Sequence, residues 1–222
     1  MSFTRKLAAE FIGTAGLLTI VVGSGIMGER LSSGNSAVAL LGNSIATGAG
    51  LIILIYGFKN ISGAHFNPVV TLMEAFDRKI GRMESFCYIA AQVAGAILGV
   101  VIANLMFELH AINLSTKTRE GSAQFLGEFV ATFGLIGVIR LGMAFHPKLV
   151  GVMVACYITA AYWFTSSTSF ANPAVTVSRS LSNTFAGIAP SGVPMFIAAQ
   201  FAGAITAMFV FKWLLAEKEI DE

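Results

Sequence analysis

Apolar residues run through this chain in blocks of about twenty, the length that a helix needs to cross a bilayer, separated by short polar breaks. Leu7–Met27 is the first block, interrupted only by Glu10. Glu29–Asn35 is a polar loop, and Ser36–Phe58 is the second block. Lys59–Phe66 is a loop containing Gly and Ser that ends at an Asn-Pro pair. Asn67–Phe76 is apolar but only about ten residues long, too short to span. It then meets Asp77, Arg78, Lys79 and Arg82, and reads as a re-entrant half-helix. Glu84–Phe107 is the third span, Glu108–Gly121 the most polar loop, and Ser122–Leu141 the fourth span, which contains Glu128. His146-Pro147-Lys148 is a tight turn. Leu149–Ser178 then runs 30 residues without a charge, too long for one ordinary span. It divides into a fifth span near Leu149–Thr165, a Ser/Thr-rich loop and a second half-helix from Asn172. Val193–Trp213 is the sixth span, followed by a charged tail.

The chain repeats itself. Ala9-Glu10-Phe11 matches Gly127-Glu128-Phe129 at an offset of 118, and the two Asn-Pro segments match at an offset of 105. Ala90–Ala96 matches Ala198–Ala204 at an offset of 108, pairing Gln92 with Gln200. Each half holds three spans, and an odd number places the halves in opposite orientations, so this is an inverted repeat. Residues 1–108 form the first repeat, 109–121 the linking loop, 122–214 the second repeat and 215–222 a cytoplasmic tail. With both termini inside, ten Lys and Arg residues fall inside and four (Arg30, Lys117, Arg119 and Arg179) outside. That imbalance follows the positive-inside rule and supports the layout.

Composition sharpens this. Charged residues make up 12% of the chain and the mean hydropathy is +0.76. Soluble domains carry about 25% charged residues, so the chain is an integral membrane protein. Its first apolar block is expected to be a retained helix and not a cleaved signal. A net charge of +2, with no basic stripe and interleaved aromatics, gives no reason to expect nucleic acid as a partner. Cys87 and Cys156 lie in apolar segments and read as free buried thiols. No Ser-His-Asp arrangement, metal cluster or phosphate-binding loop is visible, so neither enzyme chemistry nor a cofactor is expected.

Asn67-Pro68 and Asn172-Pro173 are helix starts: Asn can cap, and Pro at the first helical position gives up an N–H that has no partner anyway. Inside a bilayer such starts must face protein or a water-filled cavity. Each helix N-terminus carries about half a positive charge, so two of them facing one lumen repel cations. Asn67 and Asn172 can each offer an amide N–H to a passing oxygen. The expected object is a pore for small neutral hydrogen-bonding molecules.

Ser62–Thr71, with Asn67-Pro68-Val69, and Asn172-Pro173-Ala174 resemble the two signature loops of the aquaporin family. The paired Glu10/Glu128 and Gln92/Gln200 positions resemble that family's repeat. The resemblance covers essentially the whole chain. It implies an all-α membrane fold of six tilted transmembrane helices plus two half-helices, a pore through each protomer, and a homotetramer in a bacterial cytoplasmic membrane. Most members carry Arg after the second Asn-Pro-Ala, where it narrows the outer mouth; here that position is Val175. Counting from the Asn-Pro pairs places the remaining filter positions, by resemblance, at Thr47, Ala160 and Ser169. That filter is wide and uncharged, with no aromatic, His or Arg. Replacing Arg by Val removes a donor fork and a charge. The chain most resembles the bacterial subgroup associated with arsenic-resistance genes, which also carries Val there. This implies passage of neutral arsenous acid and methylated arsenicals, beside glycerol-like polyols and some water.

Several residues keep two readings. Val69 replaces the usual Ala of the first motif and reads as a packing variant. Arg179 either lines the outer vestibule or is a solvated or helix-end Arg at the C-terminus of the half-helix, where the dipole favours a cation. Glu10 and Glu128 are either a proton relay or, better suited to their symmetric placement, acceptors for loop backbone N–H groups. His65 either bonds solute or braces its loop. Cys156 is expected to be inert and buried unless it faces the lumen. Two other functions stand beside solute conduction: a channel mainly for water, and a proton-coupled secondary transporter.

Overall fold

The computed structural model describes residues 1–216. Most of the tail expected at 215–222 lies outside the described residues. The described residues fold into eight α-helices: α1 (Phe3–Leu31), α2 (Ser36–Ser62), α3 (Pro68–Phe76), α4 (Arg82–Met106), α5 (Ser122–Phe145), α6 (Val150–Phe164), α7 (Pro173–Arg179) and α8 (Val193–Leu214). Local chemistry sets several of these bounds. The Asn35 side chain accepts from the N–H groups of Ala37 and Val38 to start α2, and Gly63, at φ 93°, ends it in a left-handed turn. The short helices α3 and α7 start as expected, with Asn67 and Asn172 as N-caps and Pro at the first turn.

Helices α1, α2, α4, α5 and α8 are each long and apolar enough to cross a membrane. Helix α6, with 15 residues, is about 22 Å long at 1.5 Å per residue, shorter than the expected fifth span. The bundle exposes large apolar side chains on its outside, among them Ile53, Phe86, Leu126 and Trp213. A surface of this kind suits lipid as its solvent. Cys156 is exposed and Cys87 half-buried, and both are free thiols. The expectation of buried thiols is therefore corrected: an apolar position in such a bundle can face lipid as readily as core.

Helix α1 packs on α4, and α5 on α8, at glycines. A Cβ at Gly95 would collide with the Phe11 carbonyl, and one at Gly99 with the Ala15 carbonyl. Gly203 meets the Phe129 carbonyl in the same way in the other pair. Small residues permit this approach of backbones, which in lipid is driven by packing and not by water. Gly99→Val is expected to cost about 1–3 kcal/mol, because the neighbour is a rigid carbonyl. The check is thermal denaturation of purified protein in detergent. An unchanged midpoint would show that α1 and α4 do not meet this closely.

A lumen with crossed asparagine anchors

The two half-helices meet inside the bundle, and the loops before them are held by the same device. Glu10 accepts from Ser62 Oγ (2.6 Å), His65 N (3.0 Å), Phe66 N (2.8 Å) and Gln92 Nε2 (2.8 Å). Glu128 accepts from Phe170 N (2.8 Å), Ala171 N (2.9 Å) and Gln200 Nε2 (2.6 Å). Both carboxylates are fully buried. The two glutamines also donate to Thr71 Oγ1 (2.8 Å) and Thr176 Oγ1 (2.7 Å), tying α4 to α3 and α8 to α7. These anchors hold backbone that resists its own conformation. Ala64, Phe66, Thr168, Ser169 and Ala171 all have φ between 49° and 61°. Left-handed backbone costs a non-glycine residue about 1–2 kcal/mol, and the buried hydrogen bonds offset that cost.

The capping asparagines cross between the loops. Asn67 Nδ2 donates to the Ala171 carbonyl and Asn172 Nδ2 to the Phe66 carbonyl, both at 2.8 Å. Their Oδ1 atoms accept from Val69 N (3.1 Å), and from Ala174 N (3.0 Å) and Val175 N (3.3 Å). Each carboxamide is thus locked, with one Nδ2 hydrogen committed to the other loop and the second left over. Both asparagines line a cavity of about 280 Å³.

That cavity runs from Lys59, His65 and Glu74 at one end to Thr47, Tyr162 and Arg179 at the other. One wall is apolar: Leu17, Val21, Leu51, Ile55, Leu135 and Ile139. A polar edge faces it, made by the two asparagines, the loops and Ser169, whose buried Oγ has no protein partner. His65 lies on the lining with Nδ1 3.1 Å from Thr71 Oγ1, so bracing the loop and facing the lumen are one arrangement. Pro68, Val69, Pro173 and Ala174 are buried in the half-helix starts and are not on the lining.

Thr47, Ser169 and Val175 line the cavity, but Ala160 does not. Helix α6 presents Val150, Val154, Ile158 and Tyr162, a stripe at i, i+4 spacing. Ala160 lies two residues off that stripe and is exposed on the outer side, as is Cys156. Neither faces the lumen. The register slips because the loop before α7 is tight, with three of its residues in left-handed backbone. The residue in Ala160's place is Tyr162, whose hydroxyl lies 3.2 Å from Thr47 Oγ1. The outer end therefore has an aromatic after all. It also has a charge: Arg179, 1% exposed, lines the cavity, so the solvated-arginine alternative is excluded. Its Nε donates to the Ala186 carbonyl and its guanidinium carbon sits 3.4 Å from the Phe170 ring centroid. Counting from the motifs does not reach Tyr162, and on a helix this uniformly apolar no sequence signal marks the Val150, Val154 and Ile158 face that leads to it.

A sequence profile of the major intrinsic protein family matches residues 1–148. The chain is 50% identical over 212 residues to the aquaglyceroporin AqpS of Rhizobium meliloti (strain 1021), covering 96% of this chain and 91% of that protein. The chain belongs to the major intrinsic protein family. It is also 30% identical over 219 residues to the probable aquaporin NIP4-2 of Arabidopsis thaliana, covering 95% of this chain and 75% of that one. The X-ray structure of the aquaglyceroporin from Plasmodium falciparum superposes with a TM-score of 0.76, over 99% of this chain and 100% of that one, at 20% identity. The fold is thus the aquaporin fold of six membrane helices and two half-helices. As a member of this family the protein is a passive membrane channel for water and small solutes, and not an enzyme.

Proposed function

We propose that this channel passes small uncharged hydroxylated solutes: metalloid hydroxides, methylated arsenicals and glycerol-like polyols, with some water. The observation that carries this reading is Val175 on the outer lining beside Ser169, where it puts an apolar side chain into the lumen. The amphipathic lumen supports it. A polyol or a metalloid hydroxide turns hydroxyls to the polar edge and its remaining surface to Leu51, Ile55 and Leu135. The facing N-termini of α3 and α7 oppose cations, so protons and metal ions are rejected. The same reading takes the chain as two inverted halves, residues 1–108 and 122–214, joined by 109–121. Both termini lie in the cytoplasm of a bacterial cell, and four protomers assemble.

Stopped-flow swelling of proteoliposomes in sucrose, glycerol and urea gradients, with arsenite uptake measured beside it, tests the reading. Glycerol and arsenite flux well above protein-free vesicles, unchanged by an uncoupler, is expected. Water flux without solute flux would overturn it, and that second reading has one observation in its favour. The Thr47–Tyr162 contact joins α2 to α6 at the outer end of the lumen and narrows it. Tyr162→Phe removes one buried hydroxyl contact, worth about 0.5–1.5 kcal/mol, and is expected to change the glycerol-to-water permeability ratio by about two- to tenfold. An unchanged ratio would place the limiting constriction elsewhere.

A further inference from the structure

Beyond Arg179 lies a second cavity, lined by Lys117, Arg119 and Arg179 with Trp163, Thr168 and Phe185 among its walls. No carboxylate lines it. Among the described residues, none of the three cations forms an ion pair. Some of their donors are committed to backbone. Lys117 Nζ donates to the Phe185 carbonyl (2.7 Å); Arg119 Nε donates to Gly187 O (2.9 Å), and Arg119 Nη1 to Ser167 O (3.1 Å) and Thr168 Oγ1 (3.3 Å). Arg119 and Arg179 both lie against the Phe170 ring, at 5.1 and 3.4 Å from its centroid. Three cations are thus gathered around one hollow, two of them 9% and 1% exposed. Positive charge gathered with no carboxylate in contact is costly to bury, although Glu128 and Glu29 lie near enough to offset part of it. One donor stands out: Arg179 Nη1 is buried and has no protein partner. Arg179 lines this cavity and the end of the lumen together.

We infer that this vestibule binds a small oxyanion, of the sulfate or phosphate type, which bridges Arg179 Nη1 and the Lys117 ammonium and obstructs the mouth of the lumen. A tetrahedral oxyanion offers acceptors in several directions, and charge-assisted hydrogen bonds to arginine are the strong class. Such an anion neutralises a cluster that the fold leaves unpaired. Lys117, exposed at the rim of the hollow, senses the cluster: partial desolvation first, then Arg119 and Arg179, lower its pKa to about 8, against a smaller opposing pull from Glu29. Glu29 is itself engaged by the Phe185 N–H (3.1 Å).

The fold supplies a reporter. The chain has two tryptophans, and Trp163 lines this cavity while Trp213 is exposed near the end of α8. Purified channel carrying Trp213→Phe is titrated with sodium sulfate against sodium chloride at constant ionic strength, reading Trp163 fluorescence. A saturable change with sulfate, absent with chloride, is expected. Lys117→Gln should weaken it about tenfold or more, and Lys117→Arg should restore it. Sulfate carries its full charge throughout pH 6–9, so affinity should fall as pH rises through about 8 and Lys117 loses its proton. A phosphodiester headgroup presents the same chemistry, so a parallel arm adds short-chain phosphatidylglycerol micelles to the detergent-solubilised protein. A response to both probes, or to either alone, that depends on Lys117 supports the oxyanion site and identifies its source. No response in either arm overturns the site. So does a response identical for chloride and sulfate, or one unaffected by Lys117→Gln. The binding readout is independent of which solutes the channel passes. Sulfate should in addition slow glycerol swelling of proteoliposomes over the same concentration range.

Discussion

Val175→Arg is expected to cut glycerol and arsenite permeability by about ten- to a hundredfold while water permeability falls less. Val175 faces the lumen from the first turn of α7, beside Ser169 and opposite the α6 stripe that ends in Tyr162. An arginine there adds bulk to a lined cavity, and forcing a solute past an overfilled site costs about 1–3 kcal/mol, a range of roughly five- to 150-fold in rate that brackets this loss. It also stands one helical turn from Arg179, so two guanidiniums would crowd the same outer end. Water needs less room than glycerol and loses less. Stopped-flow swelling of the variant and the parent, in matched glycerol and sucrose gradients, gives both permeabilities. Equal solute flux in the two proteins would show that position 175 does not limit passage. Val175→Ala separates bulk from charge and should leave both fluxes within about twofold, since it enlarges an already open point.

How far the sequence reached depends on contrast. Glu10, Glu128, Gln92 and Gln200 are polar residues inside apolar blocks, and they repeat. A buried carboxylate must be satisfied, so their pattern points to the loops they hold, and the hydrogen bonds to Phe66 and Ala171 follow that logic. Asn67 and Asn172 announce themselves as caps in the same way. What no motif shows is that each also donates across to the other loop. That crossing depends on two segments 105 residues apart meeting in space.

Helix α6 has no such contrast. Val, Ile, Ala, Cys and Tyr surround it, and a helix apolar all round gives no face to read. Lipid and core accept the same side chains, so Cys156 and Ala160 could be assigned only by counting through a loop. The loop's backbone is compact in a way that Ser and Thr do not advertise, because Glu128 from another helix holds it at Phe170 and Ala171. Arg179 was conspicuous as a charge, but its direction was not. Its burial depends on Phe170 and the Ala186 carbonyl, one on each side of it in the chain.

Glu128→Ala is expected to leave little folded channel. The substitution strips partners from Phe170 N, Ala171 N and Gln200 Nε2 at once. Each buried unsatisfied donor costs about 1–3 kcal/mol, so the loss runs to several kcal/mol. Proteins are stable by only about 5–15 kcal/mol, and this loop already holds Thr168, Ser169 and Ala171 in left-handed backbone. Without the carboxylate the loop has reason to relax. Relaxation moves the Ala171 carbonyl, which is the acceptor for Asn67, so damage in one half reaches the anchor of the other. Glu128→Gln keeps one acceptor oxygen but presents an NH2 to donors on its other side, and should fall between the two. The measurement is the thermal midpoint of detergent-purified protein, with the yield of monodisperse channel beside it. Glu10→Ala removes an anchor with four donors and should do at least as much harm. If Glu128→Ala keeps its midpoint yet changes flux with pH, the carboxylate acts on protons and not as an anchor.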